Sequence, residues 1–232
     1  DNIYRDHTDQ KTYMIYKASP SLRVVYEKDE RNYQRLRYNA DIFRYNTYSK
    51  NDYETHMASM AFKYTSPKGY YVSLQEHYTN TEDPYDTVNK YKENMPLVHR
   101  WYNRASAAIG VAFMTRYLLE ASYEHFVLRY GSFVDKFQDM NRHAASTRLL
   151  YRILPKTALL AEYRLEHIAY PRQDDGDNDR GITSDTSQNN LFHQCYVGVT
   201  FQPTAKVNGF FKLGVGHKQY LNDEHWKQDS YK

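Results

Sequence analysis

Residues 99–130 read HRWYNRASAAIGVAFMTRYLLEASYEHFVLRY, and their alternation decides the fold class. In the first half Trp101, Ala105, Ala107, Ile109, Val111 and Phe113 fall on one side, with Arg100, Tyr102, Arg104 and Ser106 on the other. The second half repeats the pattern, with Leu119, Ala121, Tyr123 and Val127 opposite Glu120, Ser122 and Glu124. Successive side chains of a strand point to opposite faces, so a period of two marks two strands, each with one apolar and one polar face. Thr115-Arg116 between them leaves room only for a tight turn, which makes the pair an antiparallel hairpin.

The same alternation predicts strands over Met14–Tyr26, Arg31–Tyr45, Tyr53–Tyr64, Gly69–Tyr78, His143–Ile153, Ala158–Tyr170, Leu191–Gln202 and Val207–Tyr220, with a register irregularity near Ala158–Leu160. Asp1–Tyr4 reads as the end of one more, for about eleven strand segments and no helix. Connections alternate strictly in length. Lys28-Asp29-Glu30, Ser66-Pro67-Lys68-Gly69, Thr115-Arg116, Pro155-Lys156 and Pro203-Thr204-Ala205 are tight, whereas 6–10, 46–52, 79–97, 131–141 and 172–190 are long and polar. Short turns at one end and long loops at the other are the order of an up-and-down barrel in an outer membrane. Full charges in mid-strand would be costly in a dry core, but a water-filled lumen tolerates them. Tyr13, Tyr45, Tyr64, Tyr70, Tyr78, Tyr130 and Tyr170 near strand ends fit the aromatic girdles of such a barrel. The expected fold is therefore all-β: an antiparallel up-and-down transmembrane β-barrel in the outer membrane of a Gram-negative cell, with residues 1–232 forming one domain.

Composition removes the competing classes. The chain of 232 residues carries 31 Lys+Arg, 28 Asp+Glu, 10 His and one Cys, a net charge of +3. No run approaches the ~20 consecutive apolar residues of a spanning helix. With 25 Tyr, 10 Phe and 2 Trp, aromatics make up 16%, too many for a disordered chain. A lone Cys195 excludes an internal disulfide and offers no paired thiols for zinc or redox chemistry. The small positive charge gives no reason to expect a nucleic-acid partner. A weak hairpin repeat aligns Glu120–His125 with Glu162–His167 and, with altered charges, Lys212–His217; Glu76-His77 is a candidate fourth member. Outer-membrane barrels close with an even strand number, so an odd count with a first strand starting partway leads us to expect part of a larger barrel. Strands would be missing at the C-terminal end and a few residues at the start.

Asp1-Asn2-Ile3-Tyr4-Arg5, followed by Tyr13-Met14-Ile15-Tyr16-Lys17-Ala18-Ser19-Pro20-Ser21-Leu22-Arg23-Val24, resembles the start of the second family of outer-membrane β-barrel porins. There an acidic-Asn-aromatic strand end precedes a second strand with Ser-Pro and apolar alternation. Tyr-rich strands of similar length continue through the rest of this chain. The resemblance implies a link to exopolysaccharide or capsule production, export of polymer through a barrel wider than eleven strands make, and no catalytic motif.

The candidate functional residues line the polar face: Arg35 and Arg37, then Arg100 and Arg104, Glu120 and Glu124, Arg148 and Arg152, Glu162, Arg164 and Glu166, and Lys212. Two readings compete. Opposite charges on neighbouring strands form pairs that stiffen the wall, each contributing about 0.2–1 kcal/mol. Alternatively the face is a track for an anionic polysaccharide, since guanidinium forks match carboxylates or sulfates. Arg35 and Arg37, with no acidic ladder beside them, are the stronger candidates for substrate contact. Expected partners are outer-membrane lipid, the polysaccharide and periplasmic export proteins, with no cofactor, no metal and no enzymatic activity. Glu124 and His125, or Glu166 and His167, are adjacent and cannot converge on one ion, which leaves His125, His167 and His217 for the outer rim. His193 and Cys195 share a face but lack further ligands. Asp174, Asp175, Asp177 and Asp179 offer hard oxygen ligands for calcium without EF-hand spacing, and read better as a solvated loop. Alternatives of other classes are a general or solute-specific porin, a secreted carbohydrate-binding β protein, and a hydrolase assembled from residues such as His143 and Ser146.

Overall fold

The computed structural model describes residues 14–29, 31–47, 49–82, 97–131, 138–171, 189–204 and 207–221. Its strands are β1 (Ile15–Ala18), β2 (Ser21–Asp29), β3 (Asn32–Tyr45), β4 (Tyr53–Thr65), β5 (Tyr70–Thr81), β6 (Arg100–Phe113), β7 (Tyr117–Tyr130), β8 (Met140–Leu154), β9 (Thr157–Ala169), β10 (Asn190–Thr204) and β11 (Val207–Tyr220). All belong to one antiparallel sheet: β1 and β2 both pair with β3, and from β3 to β11 each strand pairs with the next in sequence. This is the expected all-β meander, curled but open: among the described residues no ladder joins β11 to β1 or β2. No helix among the described residues is long and apolar enough to cross a membrane, and Ser49–Asn51 form a single helical turn.

β1 and β2 share one register against β3, Ala18 facing Ile42 and Ser21 facing Asn39. Ala40 N–H donates to the Pro20 carbonyl at 3.0 Å, but Pro20 has no N–H to return. The ladder therefore skips one bond while the strand runs on, and the two segments together are the single strand predicted over Met14–Tyr26. The expected strand at Asp1–Tyr4 lies outside the described residues.

The registers carry each strand's alternation across the sheet. One face collects Leu22, Val24, Leu36, Met60, Leu74, Ile109, Val111, Leu119, Leu149, Leu159, Val197, Leu213 and Val215, all exposed. On the other face Glu162, Glu166 and Glu120 keep side-chain exposures of only 11%, 13% and 15%, against 76% for Val215. The usual order of a soluble protein is thus inverted. The polar face is the concave one, because side chains two strands apart meet there. Tyr71 on β5 hydrogen-bonds Glu120 on β7, and Lys212 on β11 reaches Glu162 on β9 at 2.6 Å. The expected irregularity near Ala158–Leu160 is displaced: the register shifts between Arg152 and Leu154, before the Pro155-Lys156 turn, and Leu160 is buried on the polar face.

The tight turns differ in strain. Gly69, with φ of 87°, closes its turn where a left-handed residue is required. The β6–β7 turn instead holds Met114 and Thr115 at φ of 49° and 55°. Left-handed backbone costs an L-residue about 1–2 kcal/mol, and a β-branched residue is a poor occupant. Replacing Met114-Thr115 by Asn-Gly should therefore stabilise the folded chain by about 1–2 kcal/mol. The urea midpoint of the folded protein should rise, and an unchanged or lower midpoint would refute strain at this turn.

Candidate functional site

The inner face holds two rows of charge with opposite accounting. In the first, Tyr71, Gly110, Glu120, Arg148, Glu162 and Tyr196 lie directly opposite one another from β5 to β10. Arg148 Nη2 is 2.8 Å from Glu120 Oε1 and its Nε is 3.6 Å from Glu162 Oε2. Lys212 Nζ donates to Glu162 Oε2 at 2.6 Å and lies 5.5 Å from the Tyr196 ring centre. Tyr71 donates to Glu120, while Lys63 lies 5.7 Å over the Tyr71 ring. The row is neutralised within itself, as the cross-strand pairing reading expects.

Glycine makes the long reaches possible. A Cβ at Gly110 would sit 2.1 Å from Tyr71 Cε1, in the space the ring uses to cross β6. A Cβ at Gly198, beneath Lys212, would lie 2.2 Å from the Phe211 carbonyl oxygen and 3.2 Å from Lys212 Cγ.

The next polar residues pair differently from the expected ladder. Glu124 takes Arg142 at 2.5 Å, a residue that strand-by-strand reading passed over, and Arg142 stands 5.3 Å over Phe126. Arg164 pairs with Glu166 along its own strand at 2.9 Å. Ser122 and Ser146 share a hydrogen bond of 2.7 Å between β7 and β8.

The second row is Arg23, Arg37, Ser59, His77, Arg104 and Phe126, again directly opposite one another, from β2 to β7. With Arg35 and Gln75 from the adjoining row, its members up to Arg104 border a recess of about 410 Å³. No carboxylate of the described residues pairs with Arg23, Arg37 or Arg104; Arg104 lies 5.5 Å over the Phe126 ring. Glu76 also borders the recess but belongs to the apolar face by register, where it accepts a hydrogen bond from Asn103 at 2.9 Å. Arg35 departs from its expected isolation: Glu27 pairs with it at 2.6 Å, and its guanidinium stands 4.1 Å over Tyr33. Like charges directly opposite each other destabilise a sheet, so the Arg23–Arg37 facing costs stability that the fold does not recover locally.

The remaining candidates are scattered. Arg100 lies on the inner face at the long-loop end, opposite Thr81 and Tyr130. Arg152 lies near the tight turns, sharing a separate recess with Arg116 and Lys156. The hydrolase pairing fails on geometry, since His143 faces outward with Tyr123 and Ser146 faces inward with Ser122. His125 and His167 stand on the outer face and Glu124 and Glu166 on the inner one, in opposite facings along each strand. His193 and Cys195 share the outer face, His193 bonded to Tyr163 at 2.8 Å. Among the described residues no group of three His, Cys, Asp or Glu is placed to hold a metal ion. Asp174, Asp175, Asp177 and Asp179 lie outside the described residues.

Compared with protein-family models and with curated proteins, the sequence matches none. The resemblance to the porin family therefore rests on the strand motifs alone.

The glycine passage gives a direct test. Gly110→Ala should displace Tyr71, deprive Glu120 of its hydroxyl and destabilise the chain by about 1–3 kcal/mol. Tyr71→Ala in the same chain should recover part of that loss in urea unfolding. Strictly additive losses would sink the coupling.

Proposed function

We propose that this chain forms wall of an outer-membrane β-barrel whose wet inner face conducts an anionic polysaccharide out of the cell. The observation that carries the reading is the uncompensated arginine row, Arg23, Arg37 and Arg104, beside a recess of about 410 Å³. A neighbouring row neutralises its own charges, so the lack of carboxylates here is local and specific. Guanidinium groups offer forked donors to carboxylates and sulfates, and Phe126 beside Arg104 adds an aromatic surface for a sugar ring.

The exposed apolar face supports the membrane part of the proposal. In water, so many exposed leucines, valines and tyrosines on one face would be an aggregation hazard; in a bilayer they are the lipid contact. The resemblance to porins of exopolysaccharide systems supports the substrate class and brings in periplasmic export proteins as partners. No catalytic chemistry is part of this proposal. A solute-specific porin is the second reading, favoured by the recess, whose volume suits a single small ligand.

Heat should change the gel mobility of the full parent protein from isolated outer membranes, unboiled against boiled; a soluble protein with constant mobility would favour the secreted sugar-binding reading. In planar bilayers the channel should prefer anions and be blocked by uronic-acid oligosaccharides. Arg23→Gln, Arg37→Gln and Arg104→Gln together should lower that preference several-fold at about 0.1 M salt, where screening reaches about 10 Å. Unchanged selectivity would remove this row from the pore, and block by small anions but not by oligouronates would favour the porin.

A further inference from the structure

On the outer face a tyrosine–imidazole contact recurs at three of the four long-loop hairpins of the described sheet, and a tyrosine–tryptophan ring pair stands at the fourth. Tyr38 Oη lies 2.8 Å from His56 Nδ1 between β3 and β4. Tyr123 Oη lies 2.7 Å from His143 Nδ1 between β7 and β8, and Tyr163 Oη lies 2.8 Å from His193 Nδ1 between β9 and β10. Between β5 and β6 the Tyr78 and Trp101 rings meet at 6.2 Å. Each tyrosine skips the residue directly opposite, which is Ala58, Ala145, Cys195 or Asn103, and takes the ring two positions nearer the long loop.

In the Nε2–H tautomer the phenol hydroxyl donates to Nδ1 and the imidazole N–H is left on Nε2. Nε2 of His56 lies 3.3 Å from Glu54, whereas Nε2 of His143 and of His193 has no partner among the described residues. His125 stacks on His143 at 4.5 Å, and His167 lies 6.4 Å beyond. With His193 and His217, which face each other, they form a belt across β7 to β11.

Height and charge identify what the belt meets. At about 3.4 Å per residue and a barrel tilt of about 40°, these imidazoles stand about 20–29 Å above the tight-turn ends of their strands, matching the top of an apolar band about 25 Å tall. Below them the same face carries Leu119, Leu149, Leu159, Val197 and Leu213. Among the described residues the strands β7 to β11 carry no Asp or Glu on this face, and their one full charge, Arg129, lies 3.9 Å from the buried carboxylate of Asp139 just before β8. A row of N–H donors with no exposed carboxylate among the described residues of β7 to β11, at the rim of an apolar band, is complementary to anionic headgroups.

We propose that the Tyr–His belt docks the phosphate groups of phosphorylated glycolipid headgroups in the outer leaflet. The proposal rests on the outer-membrane reading above, with the long loops outside. Full-chain protein is reconstituted in phosphatidylcholine vesicles alone, with bisphosphorylated lipid A, or with dephosphorylated lipid A, and the temperature at which the unboiled gel band is lost is measured. Bisphosphorylated lipid A should raise that temperature by several degrees and the dephosphorylated form should not. The variant with His125, His143, His167, His193 and His217 each changed to Gln should lose the rise; if it does not fold, H143Q with H193Q makes the same comparison. An equal rise in the variant, no rise in the native chain, or the same rise with inorganic phosphate alone would overturn the proposal, as would a rise that needs zinc and vanishes with chelator. Channel anion preference in the histidine variant should stay native, which separates this belt from the arginine row. Failure to insert into any vesicle would defeat both readings.

Discussion

The backbone ladder is what this fold depends on, because almost no apolar core exists to share the load. Among the described residues the buried apolar side chains are Ala40, Tyr130, Ala144 and Leu160. A soluble domain of this length would bury many more, and their burial would set its stability. Here the long antiparallel pairings from β3 to β11 satisfy the backbone donors and acceptors strand by strand. Hydrogen bonding of that kind is what an apolar solvent enforces, since an unmet amide in hydrocarbon costs several kcal/mol. In the proposed outer-membrane setting the apolar face would take its favourable term from lipid. Pro20 shows how little the ladder tolerates: its missing N–H falls at the sheet's first line, and the strand continues past it in unchanged register.

Two charge rows on one wall have different physical consequences. Where Arg148 lies between Glu120 and Glu162, with Lys212 behind, the charges hold neighbouring strands together and leave little net field. Where Arg23 faces Arg37 and Arg104 stands against an aromatic ring, the field is left open on the concave face. The first arrangement favours rigidity and the second attraction. Their separation along the sheet lets one strand, β7, take part in both, through Glu120 near its start and Phe126 further on.

Much of this was legible in the sequence, because a period of two is unambiguous over strands of this length. The alternation of residues 99–130 fixes which side chains share a face, and the tight turns fix which strands are neighbours. What escaped was whatever depends on curvature or on counting through a turn. Tyr71 meets Glu120 across Gly110 because the sheet bends, and no spacing rule reports a bend. The pairing of Arg35 with Glu27 and the facing of Arg23 and Arg37 follow from the turn at residues 29–32, but only once its length is known to the residue. Arg142 was hidden because the predicted strand began at His143, whereas β8 starts at Met140. The recurring Tyr–His contact escaped because it is diagonal, and a face-by-face reading sees only residues directly opposite.

Cys195 is the chain's single cysteine, and it stands exposed on the outer face directly opposite Tyr163, just below His193. A single thiol of this chain at that level is a reporter of what the outer face meets. A spin label or environment-sensitive fluorophore attached there would report the polarity of its immediate surroundings and so distinguish lipid from water at this level of the outer face.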